Sequence, residues 1–374
     1  MTDYFATVAR GLEELAAKEL EEIGAKDITL GFCGVSFSGD RELLYRVNLW
    51  ARLPFRVLVK LGEFPSRDGE ELYDSIQQIE WSKYLTPDLT MAVTVTGKNQ
   101  ELNHSHFTAL QVKRAITDRQ KNEFGARSSI DLDEPALRIN VHINKASCTV
   151  SLDSSGSSLH RRGYRAAVGD APLKESLAAA LIKMSGWTPD LAFIDPLCGS
   201  GTLPLEATMQ ALNIAPGIFR ESFGFESWLD FDRALFDRLW QEAEAAEKTD
   251  LQTTIIGSDR NLAVIQQAQA NARSCGVEGY LEFANRELAD VQAPSDRGIL
   301  LCNPPYGERL GGDRDLGAFY KLLGDVLKNR FKGWMAFVLS GNKELAKSIG
   351  LRSSQRLPVY NGNLPCQLMK YELY

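Results

Sequence analysis

Apolar positions along the chain follow two different rhythms. Up to about residue 155, amphipathic helical stretches are interspersed with strand candidates: "RVLVKLGEF" (56–64), "TMAVTVTG" (90–97), "ALRINVHIN" (136–144) and "SCTVSLDSS" (147–155). From residue 171 onward, short buried-looking runs take over: "LAFID" (191–195), "TIIGSD" (254–259), "GILLCN" (298–303) and "GWMAFVLS" (333–340). They alternate with helical stretches at 174–185, 203–213, 261–274 and 316–330. The second rhythm predicts an α/β, doubly wound sheet and the first predicts α+β units.

Near the start, Leu12, Leu15, Ala16, Leu20 and Ile23 recur at helical spacing and Gly24 stops the run. "DITLGFCGVSFSGD" reads as two strands around a turn at Gly34, and "RELLYRVNLWARL" as a helix ending before Pro54. Residues 107–125 read as a basic helix carrying Lys113, Arg114 and Lys121, with Leu110, Val112 and Ile116 turned to a core. Ser- and Gly-rich "SSGSSLHRRGYRAAVGD" (154–170) is the linker candidate. Its Arg161, Arg162 and Arg165 around Tyr164 suit a nucleic-acid backbone and a stacked base, or else a plain basic connector.

Composition narrows the class. With 374 residues, 44% hydrophobic and 24% charged, the chain is an ordinary globular protein of two or three domains. No apolar run approaches the roughly 18–20 residues of a membrane span, and "MTDYFATVARGLEEL" lacks a signal-peptide layout, so a cytoplasmic protein is expected. Net charge is −7, yet residues 98–165 carry 11 Lys/Arg against 7 Asp/Glu. That local excess suits a phosphate-binding face or a solvated helix. Six scattered cysteines without a Cys-x-x-Cys pair suggest neither zinc nor disulfides, and His104-Ser-His106 reads as a polar stretch, so no metal is expected.

Candidate chemistry gathers at the strand ends of the second half. The first strand runs into Asp195-Pro196-Leu197-Cys198-Gly199-Ser200-Gly201-Thr202, an acid followed by a glycine turn that opens a helix. The turn lacks the Gly-Lys-Ser/Thr of a phosphate loop. Gly199 and Gly201 let a ligand approach the backbone closely, and the helix N-terminus favours negative groups. An acid beside such a turn suits a ligand bearing both ammonium and carboxylate, as the methionine end of S-adenosylmethionine does. Asp259 tips the next strand, where an acid accepts hydrogen bonds from ribose hydroxyls. An aromatic insertion, 217–240, separates the two acids. "LEFANRELAD" offers Glu287 or Asp290 for the adenine amino group, and Glu287 is preferred.

A fourth strand ends on Asn303-Pro304-Pro305-Tyr306. Two prolines cannot continue a ladder, so the tetrapeptide is a rigid turn. Amines conjugated to a ring or carbonyl are poor nucleophiles. The Asn303 amide oxygen and the Pro304 carbonyl can accept their N–H groups, with Tyr306 stacked on a flat target. A thiolate mechanism through Cys302 or Cys366 is the rival, and structural cysteines are the better reading of both.

"DPLCGSGT", "NPPYGERL", "LHRRGYR…APLKESLAAALI", "ATVARGLEELAAKELEEIGA" and the late "NGNLPCQLMKYEL" together resemble the THUMP-domain guanine-N2 RNA methyltransferases. The likeness is to the amino-terminal half of the bifunctional bacterial 23S rRNA enzyme and covers nearly the whole chain. It implies a ferredoxin-like part (1–55), a THUMP RNA-binding domain (56–155), a basic linker (156–170) and a Rossmann-like methyltransferase domain (171–374). The resemblance implies S-adenosyl-L-methionine as donor and Asp195–Thr202 as the cofactor loop. It makes Asp259 the ribose acid, Asn303–Tyr306 the catalytic motif, and Pro172, Leu173 and Lys174 a segment closing over the cofactor. RNA is the expected partner, 23S rRNA before tRNA, with protein glutamine methylation as the alternative for such a tetrapeptide. Glu287 stands where the family usually has Asp. A second, guanine-N7 activity is expected to be absent.

Overall fold

The computed structural model describes residues 1–165, 173–306 and 316–374. By packing, the chain forms two compact units. The first comprises Met1–Val8, Ala17–Leu159 and Glu221–Trp240, the second Ala9–Ala16, His160–Arg220 and Gln241–Tyr374.

The first unit is built on β1 (Thr2–Thr7), α1 (Glu13–Ile23, shared between the units), β2 (Lys26–Gly31), β3 (Gly34–Gly39), α2 (Arg41–Trp50) and β4 (Arg56–Pro65). It continues with α3 (Gly69–Gln77), β5 (Met91–Lys98), α4 (Ser105–Phe124), β6 (Leu137–Asn144) and β7 (Ser147–Asp153). The strands make one seven-stranded sheet in the order β2-β3-β1-β4-β7-β6-β5. Only β5 and β6 pair in parallel, and α4 is the crossover that parallel pairing demands. Along β6, Leu137, Ile139, Val141 and Ile143 are buried and pack with Val112 and Ile116 of α4 and Leu72 and Ile76 of α3. That two-residue alternation is what a half-buried strand shows.

Several expectations change here. Leu110 is 45% exposed instead of joining the core, because the buried stripe of α4 runs through Thr108, Val112, Ala115 and Ile116. His104 is the N-cap of α4, its ring Nδ1 accepting the Phe107 N–H at 3.4 Å, which gives the His-Ser-His run a plain structural use. The turn lies before Gly34, with Cys33 at positive φ; Gly34 itself is in β3, where a Cβ would fall 2.1 Å from the Phe5 ring. The supposed linker begins as a packed seam. Ser154 and Ser155 are fully buried, bonded to both ends of the Asn48 amide and to the backbone of Val57. The aromatic insertion supplies Phe223, Phe225 and Phe236 to a cluster around Tyr45, whose ring stacks on Phe225 at 4.3 Å.

The second unit holds α5 (Glu175–Ser185), β8 (Ala192–Asp195), α6 (Thr202–Ala211), α7 (Arg233–Ala245, shared between the units), β9 (Ile255–Asp259) and α8 (Leu262–Ser274). After these come β10 (Glu282–Asn285), β11 (Gly298–Cys302), α9 (Leu316–Arg330), β12 (Met335–Ser340), α10 (Lys343–Ser348), β13 (Gln355–Asn361) and β14 (Leu364–Glu372). The sheet order is β10-β9-β8-β11-β12-β14-β13, parallel through β12, with β14 antiparallel to both neighbours. Strand β8 lies between β9 and β11, so the chain winds outward in both directions from it. The carboxyl ends of those strands flank the crevice where such sheets bind ligands. Gly298 starts β11 where a Cβ would meet Trp334 at 2.4 Å and the Ala192 carbonyl at 2.6 Å. Among the described residues no helix is long and apolar enough to cross a membrane, and no group of His, Cys, Asp or Glu could hold a metal ion.

Candidate active site

Strand β8 delivers Asp195 to the crevice almost fully buried, its Oδ1 accepting the Leu197 N–H at 3.0 Å. Burial, with the charge of Asp259 nearby, pushes its carboxyl up to about 8. The following turn is pinned on both sides. The Cys198 N–H donates to the Ser258 carbonyl at 2.9 Å and the Gly201 N–H returns to Cys198 O at 2.9 Å. The Asn271 amide donates to Ser200 O at 3.1 Å. Gly199 and Gly201 both take positive φ. At Gly201 a Cβ would strike the Phe283 ring at 2.6 Å, whereas at Gly199 the same position is open space, the side from which a ligand can approach. Gly201 is the N-cap of α6, so no side chain caps the first turn, and the N–H groups of Thr202 and Leu203, ahead of Pro204, suit an anion.

Asp259 sits at the end of β9. Its Oδ1 accepts the Asn261 N–H at 2.9 Å and its Oδ2 the Gly199 N–H at 3.3 Å, aiming the carboxylate across the glycine turn. A cleft of about 610 Å³ opens here, lined by Pro196, Gly199, Asp259, Glu287, Asn303 and Pro305 among others. The cleft takes Glu287 and not Asp290. It also takes residues that sequence reasoning missed: Arg260 and Arg286, each adjacent in sequence to a chosen acid, and Leu316, Phe319 and Leu322 of α9. The three-residue spacing of that apolar row, ending in a Leu322 that is 37% exposed, was the available signal.

Strand β11 is buried along its whole length and stops at Asn303. The Asn303 Oδ1 is shut off from solvent with no hydrogen-bond partner among the described residues, an arrangement that costs about 1–3 kcal/mol unless a ligand supplies a donor. Pro304 is buried behind it. Tyr306 is turned elsewhere. Its hydroxyl accepts the Asn361 amide at 3.0 Å, and one side of its ring covers Gly341, where a Cβ would lie 2.9 Å away. Burial raises the phenol above its usual range. Cys302 is fully buried and its thiol is pushed well above the ordinary value by desolvation; burial also raises Cys366. Neither is a ready thiolate, in agreement with the structural reading.

The expected RNA-contacting arginines part company. Arg161 is exposed, and with His160 and Lys174 it lines a second pocket of about 480 Å³. Arg162 is buried at 2% and paired with Glu206 at 3.4 Å, so it cannot reach a phosphate. Tyr164 is buried among Leu205, Met209 and Val277 and cannot stack on a base. Arg165 is likewise directed inward, to Glu175 at 2.5 Å. Buried surroundings hold Arg162, Tyr164 and Arg165 within the second unit. On α4, Arg114 and Lys121 are exposed and Lys113 half-buried; Arg114 lies over the Tyr73 ring and 3.5 Å from Asp118. Leu173 and Lys174 line the second pocket and not the cleft, and Pro172 lies outside the described residues.

Taken together, these groups fit S-adenosylmethionine. The buried acid Asp195 suits a cation, the uncapped start of α6 suits a carboxylate, Asp259 suits hydroxyls, and the orphaned Asn303 oxygen awaits a donor. Comparison with known proteins agrees on the family. Residues 162–370 match the RMKL-like methyltransferase domain, 66–153 the THUMP domain and 3–58 the RlmL ferredoxin-like domain. A candidate RNA methyltransferase of Synechocystis, slr0064, is 55% identical over 99% of this chain and 97% of its own length. The ribosomal RNA large subunit methyltransferase K/L of Syntrophotalea carbinolica is 43% identical over 99% of this chain, which spans only 53% of that protein. The crystal structure of a candidate methyltransferase, SMU.472, complexed with SAH, superposes with a TM-score of 0.90 at 32% identity, covering 100% of this chain and 98% of the other. The chain therefore belongs to the RMKL-like methyltransferases that carry a THUMP domain and an RlmL ferredoxin-like domain ahead of the catalytic domain.

Proposed function

We propose that the chain is an S-adenosylmethionine-dependent RNA methyltransferase that modifies the exocyclic N2 amine of a guanosine in 23S rRNA. The observation that carries this reading is the unpaired, buried Asn303 Oδ1, held at the end of β11 in the same cleft as Asp259 and Glu287. An acceptor in that setting has use for an N–H donor, and a conjugated amine brings two. The family and the names of its ribosomal relatives support RNA as the substrate.

When bound, the cofactor supplies a methyl group on a sulfonium, open to in-line attack by a neutral amine. The protein's own groups then have separable tasks. Asp195 and the start of α6 receive the charged methionine end, Asp259 the ribose hydroxyls and Glu287 the adenine amine. Asn303 Oδ1 and the Pro304 carbonyl accept the two N–H groups of the target amine, turning its lone pair out of the ring plane. Because proline fixes φ at both 304 and 305, these acceptors are placed before the substrate arrives. Lys113, Arg114, Lys121 and Arg161 hold RNA phosphates.

The test is to incubate the full chain with labelled donor and rRNA from a strain lacking the protein, then digest to nucleosides. N2-methylguanosine in 23S rRNA is expected. Label in tRNA or protein, or on another atom of the base, would overturn the substrate assignment.

A further inference from the structure

Arg165, read from sequence as an RNA contact, engages all three of its nitrogens inside the protein. Its Nε donates to Glu175 Oε1 at 2.5 Å; one terminal nitrogen donates to the Leu173 carbonyl at 3.0 Å and Thr202 Oγ1 at 3.1 Å; the other reaches Ser200 Oγ at 3.4 Å. The side chain is 15% exposed and its Glu175 partner 4%. One planar fork thus joins the residues just before α5 to both hydroxyl side chains of the glycine turn. We infer that Arg165 is a positioning residue for the cofactor turn, holding Ser200 and Thr202 so that the first N–H groups of α6 face the cofactor's carboxylate.

Geometry favours this over two simpler roles. A phosphate contact needs donors directed outward, and here every nitrogen is already engaged. A purely structural ion pair needs only Glu175, yet the guanidinium also reaches two hydroxyls of a turn whose shape matters for ligand binding. Lysine cannot reproduce such a fork, since its ammonium is a single point on a flexible stem. The assignment rests on S-adenosylmethionine being the donor.

The experiment measures binding of S-adenosylhomocysteine by calorimetry to the full chain without RNA, at a temperature where every variant shows a native near-UV spectrum. Arg165→Lys is expected to weaken binding by about tenfold or more, the scale of losing charge-assisted hydrogen bonds. Its affinity for rRNA and the salt slope of that affinity should match the parent. Thr202→Val alone should weaken binding less, and the double variant should be little worse than Arg165→Lys, since the two share one interaction. If Arg165→Lys does not fold, Arg165→Met combined with Glu175→Gln removes the fork without stranding a charge. Unchanged affinity in the folded Arg165 variants, or strictly additive losses with Thr202→Val, would overturn the inference. A parent protein that fails to bind the ligand would instead overturn the cofactor reading.

Discussion

The Asn361 side-chain amide donates to the Tyr306 hydroxyl at 3.0 Å, fastening the last residue of the Asn-Pro-Pro-Tyr turn to the end of β13. The late segment of the chain therefore braces this turn. If the hydroxyl serves only as this anchor, Tyr306→Phe should lower stability by about 1 kcal/mol, the usual worth of one hydrogen bond. Turnover should fall by no more than roughly tenfold, as the turn loosens. Tyr306→Ala, which also removes the ring over Gly341, should fall much further. Equal loss of turnover in the two variants would show that the hydroxyl takes part in the chemistry.

Asn303 gives the opposite pattern, because its oxygen has no hydrogen-bond partner to lose among the described residues. Asn303→Ala removes an unsatisfied buried acceptor, so the free protein should melt at the same temperature or slightly higher. Turnover should drop by about 10²–10³, the scale of removing one preorganised group, while S-adenosylhomocysteine still binds. Calorimetric melting beside single-turnover methylation separates the two effects. A variant that methylates normally sinks the role given to this side chain.

Neighbouring arginines should differ just as sharply. Arg162→Met leaves Glu206 buried beside an apolar group, and breaking such a pair costs about 3–5 kcal/mol. Loss of soluble protein or a large fall in the urea midpoint is expected. Arg161→Ala, on the exposed neighbour, should leave the midpoint alone and reduce the salt slope of RNA binding by about one. Were Arg162→Met as stable as the parent, the buried pairing described here would be wrong.

What could be read in advance follows from how local the signal was. Strands β8, β9, β11 and β12 are apolar up to their carboxyl ends because a parallel sheet buries both faces, so those ends, and with them Asp195, Asp259 and Asn303, were legible. Strands β13 and β14 escaped notice because "QRLPVYN" and "LPCQLMKYE" contain prolines, which β13 tolerates as an edge strand. Arg162 and Arg165 were misread because sequence shows a charge and not its partner. Glu175 and Glu206 lie 10 and 44 residues away from the side chains they neutralise. Arg260, Arg286 and Phe319 were missed for a related reason: a cleft is assembled from several strand ends, and no single stretch displays it.

Asp195 ties the site to pH. Its carboxyl lies near 8 in the folded free protein, against about 3.9 in an unfolded chain. Between those values the native state holds a proton that the unfolded state has released, so stability is present in full below pH 4 and is lost as pH rises toward 8. Asp195→Asn, which cannot ionise, should therefore melt several degrees above the parent at pH 8, with the gap closing toward pH 4. Ligand binding runs the other way. A cationic ligand group beside Asp195 favours the carboxylate, so affinity for S-adenosylhomocysteine should rise up to about tenfold per pH unit from 6 to 8 and level off above. Titrations at pH 7 in buffers of different ionisation enthalpy should show close to one proton released per ligand bound. The Asn variant should bind weakly at every pH and release none. Flat affinity between pH 6 and 8 in the parent would mean that Asp195 is already ionised in the free protein, or that the ligand's cation is seated elsewhere.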